Sequence, residues 1–347
     1  MVHLPRTNAG GHSMATLRDV AKEAGVSVAT ASVVLRGEPG FKPATREKIL
    51  RAAEKMHYTA NMTARFLKQG SSGFIAFVVP DLANPYYSDL AWAISQQAAQ
   101  QGYQTIVVQT NASSESERDS LKRISTPMCD GLIINLHNVP EDELKSLISG
   151  HPAVLFEDYA EHPQYDNVAL PLEASFKAAF TYLKQRGYEH TAIVGGRKFA
   201  KDEFSQAGRN TGFQLALQAM TNAGLGSEAD TIPCDWTAEG GVHAATTIVQ
   251  ADLGYDSFFC MNDLIAFGLI NGLQDMGVRV PEDKAVFGFD GISPASYCSP
   301  KLSTIAVDFD GMARTAVSML VERIKKTSDI PPRREIASFS LVRGVSA

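Results

Sequence analysis

The sequence predicts an α/β protein in which a small all-α head precedes a two-lobed core of parallel sheets flanked by helices. The head is indicated by two short helical patterns joined by a glycine turn, in the most basic part of the chain. The core is indicated by short apolar runs that alternate with helical stretches, a rhythm that repeats in the second half of the chain. A chain of 347 residues, 44% of them hydrophobic, is long enough for two or three domains with buried cores.

Charge is distributed unevenly between the head and the core. The formal net charge of the whole chain is −6, yet residues 14–70 hold ten Lys or Arg against five Asp or Glu. Once Arg6 is counted, residues 71–347 carry a net charge of −12. A small basic segment on a large acidic body indicates a polyanion-binding module attached to a domain with a different task.

The first two helices of the head have clear start and stop signals. Thr16 and Asp19 have the spacing of a capping box, in which a hydroxyl and a carboxylate satisfy free backbone N–H groups. The first helix ends at Gly25, and Ser27 is placed to cap a second helix after a tight turn. Such a pair is a helix-turn-helix, whose second helix enters the major groove of DNA. On the second helix we expect Ala31, Val34 and Leu35 to face inward and Val28, Ala29, Thr30 and Val33 to face outward.

Two more helices are predicted before the core. A third helix has Pro43 at its first position and an apolar stripe that we expect to be buried, formed by Ile49, Leu50, Ala53 and Met56. A short fourth helix, capped by Asn61, is expected to run to Lys68, and a linker follows at residues 70–73. A helix this short is marginal alone, so its order must come from a partner. A DNA minor groove together with a second copy of the same helix is one candidate.

The core contains short continuous apolar runs that are typical of buried parallel strands. These runs are FIAFVV, TIVVQ, GLIIN and AVLF in the first half, and TAIVGG, SFFCM and AVFGF in the second half. Ligands in open α/β sheets bind beyond the carboxyl ends of the strands. We therefore expect a ligand site in a cleft between the two lobes.

The head resembles the LacI/GalR family of bacterial repressors in TLRDVAKEAGVSVATASVVL, TREKILRAAEKMHY and NMTARFLK, and the similarity continues with little interruption to the C-terminus. The resemblance implies a periplasmic-binding-protein-like core in which the chain crosses between lobes near Leu170, Val307 and Pro331. The expected parts are a disordered leader or expression remnant at 1–13, the helix-turn-helix domain at 14–59, the hinge helix and linker at 60–73, and the effector-binding and dimerisation domain at 74–347. Within that last domain the N-lobe is expected at about 74–170 and 307–331, and the C-lobe at about 171–306 and 332–347.

The same resemblance implies which residues contact DNA. In the family the leucine of the hinge helix, here Leu67, wedges into a base step; the cost of unstacking is offset by the contacts that the bend permits. Burial of Leu67 against the core is the alternative. The expected contacts are Thr16, Ser27, Val28, Ala29, Thr30, Ser32, Val33, Arg36, Asn61, Arg65, Leu67 and Lys68. Because many members carry a long polar residue where this chain has Val33, we expect thymine or A·T content opposite Val28 and Val33, and more specificity from the hinge helices and DNA deformability.

Polar residues that follow the predicted strands are the candidates for effector binding. The expected residues are Asp158, Arg209, Trp236, Asn262, Asp290, Asn135 and Tyr86, most of which match sugar-binding positions of the family. Carboxylates, amides and the planar fork of arginine suit vicinal hydroxyls, and Trp236 offers an aromatic face. Structural roles remain open: an Asx-turn at Asp290, helix capping at Asn262 and Asp263, and packing of Tyr86 and Tyr87. The two tyrosines also keep a purine ligand possible.

The chain departs from the family at the entry to the second lobe. Leu170-Pro171 stand where members usually carry Asp-Asn, and Ser175 stands where a glycine is common. Proline has no backbone N–H to donate. We therefore expect the lobe crossing or the ligand contact there to differ.

Other classes of protein are disfavoured. The phosphate-binding loops G-x-G-x-x-G and G-x-x-x-x-G-K-[ST] and the catalytic motifs G-x-S-x-G and H-E-x-x-H are absent, so we expect neither an enzyme nor a cofactor. The four cysteines and the scattered histidines lack metal-binding spacing, so no metal is expected. The N-terminus has no signal-like apolar segment and no apolar run is long enough to cross a bilayer. We expect a bacterial cytoplasmic, nucleoid-associated protein without a membrane partner.

The resulting functional prediction is a homodimeric transcriptional repressor that binds a near-palindromic double-stranded operator. A small effector, most simply a sugar, would change the closure of the lobes and thereby the formation of the hinge helices. Three alternatives are a purine-responsive regulator, a regulator with a vestigial cleft that is controlled by a protein partner, and a solute-binding module without gene control.

Overall fold

The computed structural model describes residues 15–35, 39–58, 71–111, 113–124, 128–135, 138–157, 163–195, 207–325 and 330–347, without the side chains of residues 141–142 and 207–210. The chain divides into two compact units, Met1–Ser72 and Gly73–Ala347. No helix of the described ranges combines the length and the hydrophobicity needed to cross a membrane.

The described part of the first unit contains three helices, α1 (Leu17–Glu23), α2 (Val28–Leu35) and α3 (Pro43–Lys55). The predicted capping box is confirmed: the Thr16 N–H donates to the Asp19 carboxylate over 2.9 Å, and the Asp19 N–H donates to the Thr16 hydroxyl over 3.3 Å. Gly25, with φ of 60°, makes the left-handed turn that ends α1. The Ser27 hydroxyl accepts from the Thr30 N–H over 3.1 Å at the start of α2. Local signals therefore set the boundaries of this helix pair.

The three helices enclose one small apolar core. Its buried residues are Val20, Ala21, Ala24, Ala31, Val34, Ile49, Ala52 and Ala53. The predicted inward position is confirmed for Ala31 and Val34, whereas Leu35 is half-buried. The prediction that Leu50 is buried is wrong, since this side chain is 48% exposed. The buried face of α3 follows Ile49, and Leu50 is rotated by about 100° from it.

In the described residues of the second unit the strands form two six-stranded sheets, one in each lobe. In spatial order the first-lobe sheet consists of β11 (Arg334–Ile336), β5 (Asp166–Ala169), β4 (Ala153–Phe156), β3 (Gly131–Ile134), β1 (Phe74–Val79) and β2 (Gln104–Gln109), all parallel. Its helices are α4 (Pro85–Gln100), α5 (Ser114–Ile124), α6 (Glu141–Leu147) and α11 (Phe309–Ile324). Strands β3 and β4 are buried along their whole length, which explains why they are continuous rather than alternating in hydrophobicity.

The second-lobe sheet repeats this plan with one antiparallel edge. In spatial order it consists of β12 (Phe339–Val342), β10 (Ser303–Val307), β9 (Ala285–Asp290), β8 (Ser257–Cys260), β6 (Thr191–Val194) and β7 (Thr231–Ile232), parallel except for β12. Its helices are α7 (Leu172–Gln185), α8 (Ala207–Asn222), α9 (Ala238–Gln250), α10 (Asp263–Asp275) and a short 3₁₀ helix (Ser293–Ser296). The predicted α/β class with helix-flanked parallel sheets is confirmed.

The chain passes between the lobes at three places. The first passage is at Leu170, where Pro171 takes the N-cap position of α7 without a side-chain cap, and the second is at Asp308, directly after β10. The third lies between β11 and β12 rather than near Pro331, the position predicted from the sequence. The reason is that β11 pairs with β5 in the first-lobe sheet, so residues 334–336 belong to the first lobe. Ser338 is bonded to the second passage: its carbonyl accepts from the Asp308 N–H over 3.1 Å and its hydroxyl donates to the Asp308 carboxylate over 2.8 Å.

Candidate functional site

Helix α2 of the head presents a small uncharged surface. The exposed residues are Ser27, Val28 and Ala29, and the half-buried residues are Thr30, Ser32 and Val33. The hydroxyl oxygens of Ser27 and Thr30 lie 2.9 Å apart, within hydrogen-bond distance. Such a surface can contact thymine methyl groups and make single hydrogen bonds, but it lacks the bidentate guanidinium that reads guanine.

The other predicted DNA contacts fall into two groups. Thr16 is exposed, and its hydroxyl donates to the Asp19 carboxylate over 2.6 Å as part of the α1 cap. Five predicted contacts lie outside the described residues, namely Arg36, Asn61, Arg65, Leu67 and Lys68. Their roles therefore remain proposals.

The first lobe contributes three polar side chains to the cleft between the lobes. The Tyr86 hydroxyl, at the start of α4, donates to Glu157 Oε1 over 2.5 Å, and Asn135 Nδ2 donates to the same oxygen over 3.2 Å. Asn135 and Glu157 directly follow β3 and β4, so the parallel sheet brings them to the same edge. Asn135 is fully buried, and its Oδ1 accepts no hydrogen bond from the described residues. Burial, followed by the charge of Glu157, holds the pKa of Tyr86 well above its ordinary value, so this hydroxyl stays a donor.

The second lobe contributes Trp236 and Asn262, which are bonded to each other. The indole Nε1 of the half-buried Trp236 donates to the carbonyl of Gly195 over 2.6 Å, which fixes the ring at the end of β6. Asn262 Nδ2 donates to the Trp236 carbonyl over 3.4 Å, and Asn262 Oδ1 accepts from the Ile265 N–H over 2.8 Å. The capping role considered for Asn262 is therefore present at the start of α10. A ligand contact by Asn262 has to share its side chain with that cap.

Asp290 ends β9 in an unusual backbone conformation. Its φ is 108°, in the left-handed region that residues with a side chain rarely adopt. Burial, then the charges of Asp263 and Glu157, raise the pKa of Asp290 well above its ordinary value. No described residue donates a hydrogen bond to its carboxylate, which distinguishes Asp290 from a simple Asx-turn. An unpaired carboxyl group in this enclosed position is suited to accept hydrogen bonds from a ligand.

Asp263 anchors the turn that carries Asp290. Its carboxylate accepts from the Thr304 hydroxyl over 2.7 Å and from the Ile292 N–H over 3.0 Å. Burial raises the pKa of Asp263 to about 7, although these hydrogen bonds act in the opposite direction. The prediction that Asp263 caps α10 is wrong, because Asn262 fills that position and Asp263 bonds to a neighbouring segment.

The structure thus brings some of the predicted effector residues together and leaves others aside. Tyr86 and Asn135 both donate to Glu157, a residue that the sequence analysis did not select, and the charge of Glu157 also reaches Asp290. The sequence signal for Glu157 is that it is the first polar residue after β4. The predicted residue Asp158 is the next one and lies outside the described residues. Arg209 lies in the first turn of α8, and its side chain is not described.

A helix-turn-helix head and a two-lobed domain with facing polar groups define a ligand-responsive DNA-binding regulator. Residues 16–61 match the model for bacterial regulatory proteins of the lacI family, and residues 180–347 match the model for the periplasmic binding protein-like domain. The HTH-type transcriptional repressor PurR of Vibrio atlanticus (strain LGP32) is 31% identical over 316 residues, which cover 90% of this chain and 92% of PurR. The chain belongs to the LacI family of bacterial transcriptional repressors, whose members join a DNA-binding head to an effector-binding domain.

Solved structures share the fold of this chain. The lac repressor dimer bound to operator and the anti-inducer ONPF aligns with a TM-score of 0.78 at 23% identity, over 96% of this chain and 98% of that chain. A LacI family transcriptional regulator from Enterococcus faecium with bound ribose aligns with a TM-score of 0.66 at 25% identity, over 79% of this chain and 98% of that chain.

Proposed function

We propose that the cleft binds a small uncharged ligand rich in hydroxyl groups, a sugar or sugar derivative, and that this ligand controls the affinity of a homodimer for a near-palindromic operator. The observation that carries the ligand class is the buried Oδ1 of Asn135, which accepts no hydrogen bond from the described residues. A buried acceptor without a donor costs about 1–3 kcal/mol, and a bound hydroxyl group removes that cost.

The charges around Asn135 favour a ligand that donates hydrogen bonds. Glu157 is beside it in the first lobe, and Asp290 lies close enough across the cleft for the charge of Glu157 to raise its pKa. All three groups accept hydrogen bonds, so a ligand with several hydroxyls satisfies them together. An anion such as a sugar phosphate would be repelled by the charge of Glu157. The regulator from E. faecium with bound ribose supports a neutral sugar.

A purine is the second candidate, and the PurR relatives favour it. A purine pocket needs an open aromatic face for stacking. Both tyrosines at the start of α4 are buried, and the ring of Tyr86 makes edge contacts with Tyr87 and Phe309, with centroids 5.1 and 5.3 Å away. These contacts weigh against stacking of a purine on Tyr86. A sugar is therefore our first choice.

The ligand class is tested by thermal-shift and calorimetric titration of the full-length protein with ribose, glucose, glucose 6-phosphate and hypoxanthine. We expect a neutral sugar to bind, with a stabilisation of about 2.7 kcal/mol at a concentration one hundred times its Kd. Glu157→Gln should weaken this binding about tenfold, since a charge-assisted hydrogen bond is lost. Glu282→Gln is the matched control, because Glu282 is exposed and precedes β9 at the end opposite to Asp290.

The other outcomes are equally informative. Binding of hypoxanthine alone would replace the sugar with the purine candidate. Binding of glucose 6-phosphate alone would contradict the argument from the charge of Glu157. No binding by any compound would favour control by a protein partner.

A further inference from the structure

The two lobes are bonded to each other by a contact that lies outside the set of cleft residues described above. The carboxylate of Asp89, on α4 of the first lobe, accepts from the backbone N–H of Ser293 over 2.8 Å and from the Ser293 hydroxyl over 3.1 Å. Ser293 begins the 3₁₀ helix of the second lobe, and α4 contacts that helix directly. One side chain of the first lobe therefore holds two donors of the second lobe.

Both partners sit on the elements that carry the cleft residues. Asp89 is three residues, nearly one helical turn, beyond Tyr86, which donates to Glu157. Ser293 is three residues beyond Asp290, on the turn that Asp263 holds through the Ile292 N–H. A motion that brings Ser293 to Asp89 therefore also brings Asp290 toward Glu157.

The cleft itself supplies a force that opposes this approach. Burial, then the charges of Asp263 and Glu157, raise the pKa of Asp290, so bringing an ionised Asp290 toward Glu157 is unfavourable. An attractive contact elsewhere between the lobes would offset this cost when the lobes close. The pair Asp89–Ser293 is a charge-assisted contact of this kind, and Asp89 is half-buried, which limits screening by solvent.

We infer that Asp89 is a positioning residue of the effector response: its two hydrogen bonds to Ser293 hold the lobes closed and set the separation of the ligand-binding groups. The link to the effector rests on the proposed function. Closure by Asp89 itself is independent of which ligand binds. Removal of Asp89 shifts the lobes toward the open state and reduces the affinity for any ligand that requires closure.

Amide hydrogen exchange of the full-length, ligand-free protein tests closure directly, because the Ser293 N–H is one of the two donors. We expect Asp89→Ala to accelerate exchange at Ser293 about tenfold or more. The Ile292 N–H, which is bonded to Asp263 in the same turn, should keep its exchange rate. Asp119→Ala, at an exposed carboxylate on α5 of the same lobe, is the matched control and should change neither rate.

Two further variants separate positioning from a general loss of structure. Ser293→Ala removes the hydroxyl but keeps the backbone donor, so it should have a smaller effect than Asp89→Ala. Asp89→Asn keeps one acceptor without the charge, so its effect on the exchange rate at position 293 should lie between those of Ser293→Ala and Asp89→Ala. An unchanged exchange rate at Ser293 in Asp89→Ala would overturn the inference, and so would equal acceleration at Ile292, which would mean that the turn has unfolded.

Calorimetric titration with ribose connects closure to ligand binding. We expect Asp89→Ala to weaken ribose binding about three- to tenfold, with no change in Asp119→Ala. Unchanged ribose affinity in Asp89→Ala would contradict the link to the effector. If ribose fails to bind the unaltered protein, the proposed ligand class is wrong, and the exchange at Ser293 still decides whether Asp89 holds the lobes closed.

Discussion

Replacement of Asp166 by Asn is expected to destabilise the second unit by about 3 kcal/mol. Asp166 begins β5 and is fully buried. Its carboxylate accepts from the Arg323 guanidinium over 2.9 and 3.0 Å, and from the backbone N–H and the guanidinium of Arg333 over 2.9 Å each. Burial alone would raise the pKa of Asp166, but the hydrogen bonds from Arg323 and Arg333 outweigh it and hold this pKa at about 2.

The magnitude follows from this pKa and from the arginines that the substitution leaves behind. A fall of the pKa of Asp166 from 3.8 to about 2 corresponds to about 2.5 kcal/mol of stability at neutral pH. Asn cannot balance the two guanidinium groups, whose side chains are only 23% and 29% exposed. Because the pKa in the folded state is lowered, the stabilisation is present above pH 3.8 and is lost as the pH falls through about 2.

Urea unfolding of the full-length protein, followed by circular dichroism at pH 7 and again at about pH 3, measures this loss. Asp283→Asn is the matched control, since Asp283 also bonds an arginine, Arg279, but on the surface. We expect Asp283→Asn to lower the free energy of unfolding much less than Asp166→Asn does. We also expect the free energies of unfolding of the unaltered protein and of Asp166→Asn to approach each other as the pH falls. Equal losses in the two variants, or a difference that does not change with pH, would refute the argument. The same result would question the assignment of β11 to the first lobe, because Arg333 directly precedes that strand.

Three predictions concern the head. Raising the salt concentration from 50 to 200 mM should lower operator affinity about tenfold or more, because Lys and Arg release counterions from the phosphates; a flat response would exclude residues 14–70 as the DNA surface. Leu67→Gly should weaken specific binding about tenfold or more and non-specific binding about twofold at most, and an unchanged ratio of the two would contradict a wedge in the minor groove. Selection from a random DNA pool should enrich thymine or A·T pairs opposite Val28 and Val33, whereas enrichment of guanine there would contradict the apolar contact.

The sequence predicted the parts of the fold that local signals determine. The capping box at Thr16, the turn at Gly25 and the cap at Ser27 are formed by residues within four positions of each other. Continuous apolar runs gave the central strands, since burial on both faces leaves no alternation. Asn135 and Asp290 could be found because a strand end in a parallel sheet points to one edge.

The sequence does not show which of two adjacent residues faces a partner, or which distant residue that partner is. Both limits affected the predictions of individual side chains. Glu157 was missed because its partners Tyr86 and Asn135 are 71 and 22 positions away in the sequence, so no local pattern marks this side chain. Leu50 was assigned to the buried face of α3 because a neighbouring apolar residue looks like part of the stripe.

Long-range contacts explain the remaining differences. The three-residue strand β11 is exposed throughout and has no hydrophobic signal, and its place is fixed by pairing with β5 and by the bonds between Arg333 and Asp166. Asp89 and Ser293 are 204 positions apart in the sequence, so no pattern along the chain relates them. Only the folded topology brings these groups together.

The central claim is that occupation of the cleft controls binding to DNA. Its most direct test is titration of the full-length protein against the promoter region of the neighbouring genes, with and without saturating ribose, glucose or hypoxanthine. We predict that the compound that binds the cleft changes specific DNA affinity at least about fivefold and leaves non-specific affinity unchanged. Equal specific affinity in the presence and absence of a compound that demonstrably binds the cleft would contradict the account.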